Sequence, residues 1–345
     1  MNKKRKNTLI FVCIDSQPLI LMKMRNSLIT LLILVPFVCF GQSKNSYSKK
    51  PVAYGGESIR LESNSFTSKY LGALEGRPGE EGKKRQSYQG MDIYGNTMVS
   101  CQNSGIATVY SFDGKKAVKL SQFDLESANK NNHCNVVSFG VEFAEPSDPT
   151  PVMYISHCHR KPINGMKDVL FVERLLPDMK SSKLLQTINF DDVNHLFGYA
   201  LQWVVDRENN FLYGYGNTID NTNAANNHRI IKFRLPSIKE GVNGLLTLTD
   251  KDIIETYLIE DTYAKYYNPI GQGLFIQNDM LFMPTGFGKT EQPSYLYVWD
   301  LATRRMRNVL DLREATFSEL EDSSMYDGDL IVQTQGSLFR IRFDK

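Results

Sequence analysis

An all-β fold, a five-bladed β-propeller, is what the sequence predicts, and three observations predict it. Beyond residue 56, apolar residues fall in short alternating or β-branched runs rather than at helical spacing, punctuated by Gly, Asn, Asp and Pro. Four such runs joined by tight turns make an antiparallel meander, and units of this kind recur from residue 89 to the end of the chain. The units open at Gln89, His133, Gln202, Gln272 and Glu321, which are 44, 69, 70 and 49 residues apart. An ordinary blade repeats at about 40–50 residues, so the two long intervals carry insertions.

Taken in chain order, residues 1–41 read as an export signal. Lys23 and Arg25 precede an apolar run at 28–38, the length of a signal-peptide core and too short to cross a bilayer comfortably. Small residues, Cys39 and Gly41, stand before Gln42 at the positions a signal peptidase reads. Met22 and Met24 are alternative starts, and lipidation at Cys39 or an uncleaved N-terminal anchor are alternative fates. The location this predicts is periplasmic, cell-surface or secreted. Residues 42–56 are polar and read as a linker, leaving 57–345 as the propeller domain.

Within that domain, residues 65–71 form a strand with no partner nearby in sequence. The last unit ends after its third strand, so this N-terminal strand is expected to complete it, close the ring and cover an edge that invites aggregation. The first unit runs through 89–94, a Gly95-Asn96 turn, 97–101, 106–112 and 117–123. The second opens at 133–139 and continues at 152–156; the third opens at 201–206 and continues at 211–215. The fourth is the most regular, with strands at 272–277, 280–284, 295–300 and 305–310 and an Asn278-Asp279 turn. The fifth opens at 321–326, turns at 327–329 and runs on to Ile341.

Charge excludes one class of partner. Residues 1–41 hold six basic side chains and one acidic, so the remainder carries 34 basic against 37 acidic. No basic patch for nucleic acid survives, and Lys83-Lys84-Arg85 reads as a solvated loop. No membrane partner is expected beyond the signal or anchor.

First strands line a propeller's central channel, so the polar residues that open them should converge at one mouth. The ligand-binding candidates are Gln89, His133, Asn135, Gln202, Gln272 and Glu321, with Trp203 and Tyr199 as aromatics for the rim. Strand alternation puts His157 and His159 on one face, and with His133 they offer three imidazoles to a divalent metal. The spacing matches no recognised metal motif, and no cofactor is otherwise implied. Cys134 and Cys158 fall opposite each other if the first two strands of the second unit pair around 145–150, which makes them a disulfide candidate; two buried thiols is the other reading. The Asn-rich stretch 217–227 reads as a solvated loop. Residues 285–290 are not a phosphate loop, because Met283 stands where its first glycine belongs and no helix follows.

The opening Tyr88-Gln89-Gly90-Met91-Asp92 with its Gly-Asn turn resembles a blade of the plant-type glutaminyl-peptide cyclotransferases. The likeness covers one or two blades, and their acidic metal-binding positions are not matched, so it implies the fold and neither the activity nor the metal. The whole arrangement is similar to exported propellers of gut Bacteroidetes. Three functions follow in order of expectation. The first is a non-catalytic module binding an envelope or extracellular glycan or peptide at the channel mouth. The second is a hydrolase, lyase or cyclotransferase-like enzyme using His133 and Glu321 as acid or base. The third is a structural part of an envelope assembly.

Overall fold

The computed structural model describes residues 65–78, 86–159, 161–220, 223, 225–259, 271–289, 293–316 and 318–343, together with short strand segments between residues 13 and 59. The export signal lies outside the described residues apart from a hairpin of Cys13–Ile14 with Gln17–Pro18. Among the described residues no helix is long and apolar enough to cross a membrane.

From Gly41 onward the chain is one unit of five blades. Blade 1 contains Tyr88–Tyr94, Thr97–Gln102, Ile106–Phe112 and Ala117–Asp124 in spatial order from axis to rim. Blade 2 is built from Val136–Phe139, Met153–Ser156, Asp168–Leu175 and Ser182–Phe190. Blade 3 uses Gln202–Asp206, Phe211–Asn217, His228–Arg234 and Glu255–Ile259. Blade 4 uses Phe275–Gln277, Met280–Thr285, Tyr295–Asp300 and Arg305–Asp311. In blade 5, Leu320–Tyr326, Asp329–Thr334 and Ser337–Phe343 are completed by the N-terminal strand Ser65–Ala73, as the sequence predicts.

The burial pattern explains why the strands read as they do. A middle strand is covered on both faces by neighbouring blades, so Met98 to Gln102 are all buried, whereas the rim strand Ala117–Asp124 is mostly exposed or half-buried. The apolar side chains divide into five clusters, one at each seam. Val99, Val109, Phe139 and Ile155 fill the seam between blades 1 and 2, and Trp203, Phe233, Leu170 and Val172 that between 2 and 3. Tyr213, Ile230, Leu281 and Tyr297 hold blade 3 to 4, while Phe66, Leu330, Leu296 and Leu310 hold 4 to 5. Met91, Met98, Ile331 and Leu338 close the ring from 5 to 1. Burial at these seams is the main stabilising term, because the blades are joined there by few backbone ladder bonds.

Two features depart from the sequence reading. Blade 2's first strand begins at Val136 rather than His133, because Cys134 takes a left-handed backbone (φ 54°) that ends the ladder. The blade 3 insertion also does more than bulge outward. Its strand Leu245–Leu248 pairs in parallel with Ser182–Phe190, adding a fifth strand to the rim of blade 2 before the chain returns to finish blade 3.

Candidate site at the channel mouth

Below the mouth neighbouring inner strands pack tightly. A Cβ at Gly90 would lie 2.5 Å from Val137 N, and one at Gly273 would lie 2.2 Å from Asp322 Oδ1, so inner strands approach as closely as glycine permits. Buried carboxylates tie the seams at this depth. Asp322 accepts from Met91 N at 2.8 Å, and Asp92 accepts from Phe139 N and Ser324 Oγ, each at 2.7 Å. Burial pushes the Asp322 carboxyl well above its ordinary range, with the Asp92 charge adding to it.

The mouth lies at the start of the inner strands, where the turns after the second strands also converge. Two connected lobes form there. The larger, about 480 Å³, is bounded by Gln89 and Asn103 of blade 1, His133 and His159 of blade 2, Gln272 of blade 4, and Glu319 and Gln335 of blade 5. The smaller, about 200 Å³, is bounded by Asn135, Gln202, Tyr215 and His228 among others. His133, Tyr199, Gln272 and Phe287 line both. The structure thus brings Gln89, His133, Asn135, Gln202 and Gln272 together at one end of the ring.

Bonds across the axis fix their orientations. Asn135 Nδ2 donates to Gln272 O at 3.0 Å, from blade 2 to blade 4, and Gln202 Nε2 donates to Gly271 O and Gln272 O at 3.1 and 3.2 Å. Gln272 Nε2 donates to Glu319 Oε1 at 2.9 Å and to Gly286 O at 3.2 Å. Burial raises the Glu319 carboxyl above its ordinary range against the lowering effects of Gln272 and Lys289. His133 Nδ1 lies 2.6 Å from Asn103 Oδ1, which as a pure acceptor makes Nδ1 the protonated nitrogen. Burial, then the charges of His159 and His157, lower the His133 pKa to about 4. At neutral pH this ring is therefore neutral, with the lone pair on Nε2, for which the described residues supply no hydrogen-bond partner.

Two residues expected at the mouth are elsewhere. Trp203 is buried in the seam between blades 2 and 3, 5.8 Å from Phe233 ring to ring, because strand alternation turns it opposite to Gln202. Glu321 is also fully buried, set behind the wall, where Gln335 Nε2 donates to it; burial and then the nearby Glu319 hold its carboxyl well above the usual range. The carboxyl bordering the mouth is Glu319.

The imidazoles do meet: His133 and His159 are 5.6 Å apart, centroid to centroid, and His157 and His159 are 6.1 Å apart. They do not form a ligand set. His157 Nε2 bonds Lys161 O at 2.9 Å, and His159 Nδ1 accepts from Lys161 N at 3.1 Å, so its proton is on Nε2. Among the described residues no group of three or more His, Cys, Asp or Glu is arranged to hold a metal ion. The disulfide expectation is corrected too. Cys134 and Cys158 stand in register across blade 2, but both have left-handed backbones (φ 54° and 24°) just past the ladder. Cys158 Sγ donates to Ala200 O at 3.2 Å, and Cys101, Cys134 and Cys158 are all buried free thiols.

Sequence reasoning missed Asn103, Phe287, Glu319 and Gln335. Three of these share a readable signal, since Asn103, Phe287 and Gln335 each follow the second strand of a blade within two residues of its end. Polar or aromatic residues at those exits share the mouth with the residues that open first strands.

No family model and no curated protein matches the chain. Solved structures of propeller type do. A glutaminyl cyclase from Myxococcus xanthus is similar over 80% of this chain and 96% of its own, at 12% identity and a TM-score of 0.45. A gluconolactonase from Xanthomonas campestris is similar over 88% of this chain and 98% of its own, at 11% identity and a TM-score of 0.44. Both bear enzyme names, and the expectation of a non-catalytic glycan- or peptide-binding module finds no support among them. Likeness this distant carries no argument, and what the chain does is read from its own mouth residues.

Proposed function

We propose that the chain is an acid–base enzyme of hydrolase, lyase or cyclotransferase-like type, acting at the channel mouth with His133 as base and Glu319 as acid. One observation carries this reading: a carboxyl raised by burial and an imidazole held neutral by burial border the same cavity. An imidazole held unprotonated and a carboxyl held protonated by their surroundings equip one site to take a proton and to give one. Asn103 fixes the His133 tautomer, and Gln272 orients the Glu319 carboxyl. A covalent route through Cys158 is disfavoured, because burial pushes that thiol far above its ordinary range and its proton is engaged by Ala200 O. The setting that goes with this reading is the exported one inferred from residues 28–41.

The test is turnover of a panel of lactones, esters, glycosides, uronate-containing glycans and peptides, followed by mass spectrometry. Activity should require His133 unprotonated and Glu319 protonated. It should therefore rise as pH climbs through about 4 and fall again as Glu319 ionises, above the ordinary glutamate range. Glu319→Gln and His133→Ala should each lower the rate by about 10²–10⁴-fold. Turnover unaffected by both substitutions would sink the assignment.

A further inference from the structure

We infer that the end of blade 5 away from the mouth carries a binding site for a tetrahedral oxyanion, a phosphoryl or sulfo group, held across the ring-closing strand pair by Lys69, Arg340 and Arg342. The site is separate from the mouth and does not depend on the reaction proposed there. Gln335, just before Ser337–Phe343, borders the mouth, whereas Arg342 lies at the far end of that strand.

The case begins with register. In the pairing that closes the ring, Lys69 stands opposite Arg340 and Thr67 opposite Arg342. Residues two apart on a strand share a face, so these rungs place three cations and a hydroxyl on one side of the sheet. Like charges directly opposite each other destabilise a strand pair. An anion bound between them turns that repulsion into a bridge from the N-terminal strand to the C-terminal one. The same residues, with Ser68, line one cavity of about 40 Å³.

Every group invoked is open to solvent. Lys69 is exposed, the side chains of Arg340 and Arg342 are 22% and 60% exposed, and Thr67 is half-buried. Asp329 sets the arginines: Arg342 Nε and Nη2 donate to its two oxygens at 2.8 and 2.6 Å, and Arg340 Nε lies 3.6 Å from it. Arg342 spends two of its five N–H groups there, and the others stay available to a ligand. Arg340 Nη1 donates to Gly114 O at 3.4 Å, which brings in the turn that carries exposed Lys115 and Lys116. Acidic groups stand nearby as well. The Asp327 charge acts on Arg342, and Asp113 accepts from the backbone N–H groups of Lys115 and Lys116 at 2.9 Å each. What selects the ligand is therefore donor geometry rather than net charge. Asp329 already fills one planar edge of Arg342, as a carboxylate does. The remaining donors come from two strands and lie out of one plane, which suits the three acceptor oxygens of a phosphoryl or sulfo group.

Titration calorimetry on the full chain tests the inference with inorganic phosphate and inorganic sulfate, against acetate at equal ionic strength. At least one of the two should bind saturably and about tenfold more tightly than acetate, and the tighter of them identifies the phosphoryl or sulfo source. Lys69→Glu should weaken that binding at least about tenfold. Arg340→Lys, which keeps the charge and loses the planar fork, should weaken it several-fold. Lys183→Glu, the same reversal on the rim strand of blade 2, should leave binding unchanged, as should Glu319→Gln at the mouth. Saturable binding of neither anion, acetate bound as tightly as both, or Lys183→Glu weakening binding as much as Lys69→Glu would overturn the inference. Should one of the two site variants fail to fold, the other and the anion ranking on the unaltered protein decide.

Discussion

At the scale of single residues, the mouth and seams hold titratable groups in the states that water would not choose. His157 is fully buried, and burial lowers its pKa to about 4, so the native ring refuses a proton that the unfolded chain accepts near 6.5. The unfolded state then binds more protons between those values, and this contribution to stability is lost as pH falls from about 6.5 toward 4. Asp168 has the opposite sign: burial raises it to about 6, so it favours the native state less as pH rises from about 4 to 6. A His157→Gln variant, whose amide can still donate to Lys161 O, isolates the first term. Urea unfolding at pH 5 and pH 7 should show the variant gaining less stability with rising pH than the parent, by on the order of 2 kcal/mol. These residues also mark the limit of sequence reading. Gln89, His133, Asn135, Gln202 and Gln272 were legible because each stands at or just before the start of an inner strand, whereas Glu319 was passed over for Glu321, which lies in the strand proper and is turned behind the wall. One step of alternation likewise separates Gln202 at the mouth from Trp203 in the seam.

At the scale of elements, strand identity was written in local chemistry and strand partnership was not. Blade 4 was legible almost residue by residue, because Asn278 and Asp279 supply the left-handed turn (φ 51° and 58°) that pins its first hairpin. The parallel pairing of Leu245–Leu248 with blade 2 left no such mark, since a four-residue strand joining a distant rim needs no turn signal. Glycines separate the two kinds of constraint. At Gly90 an added methyl meets backbone atoms at 2.5–2.7 Å, so Gly90→Ala should destabilise by about 3 kcal/mol and lower the melting temperature by roughly 5–10 °C. At Gly95 there is open space but a left-handed φ of 55°, so Gly95→Ala should cost only about 1 kcal/mol. Calorimetric melts of the two variants side by side check the ranking.

At the scale of the whole molecule, the ring is closed by the pairing of Ser65–Ala73 with Ser337–Phe343. The sequence announced this closure through a final unit one strand short and an unpartnered strand at the other end. A chain beginning at Gln86 would leave Ser337–Phe343 as an open edge and uncover Phe66's place in the seam between blades 4 and 5. It should lose the single cooperative melt and aggregate on warming, as light scattering during a thermal ramp would register.

The register of that closure has a mechanical consequence. Phe66 lies opposite Phe343 and Ala73 opposite Ser337, so the outer ends of the two strands emerge side by side at one edge. Tension applied between them loads the rungs one after another, as a zipper is opened, instead of loading all at once in shear. The clasp that closes the ring is thus its weak point under force, and a tug on the two ends would part Phe66 from Phe343 before the rungs nearer the mouth.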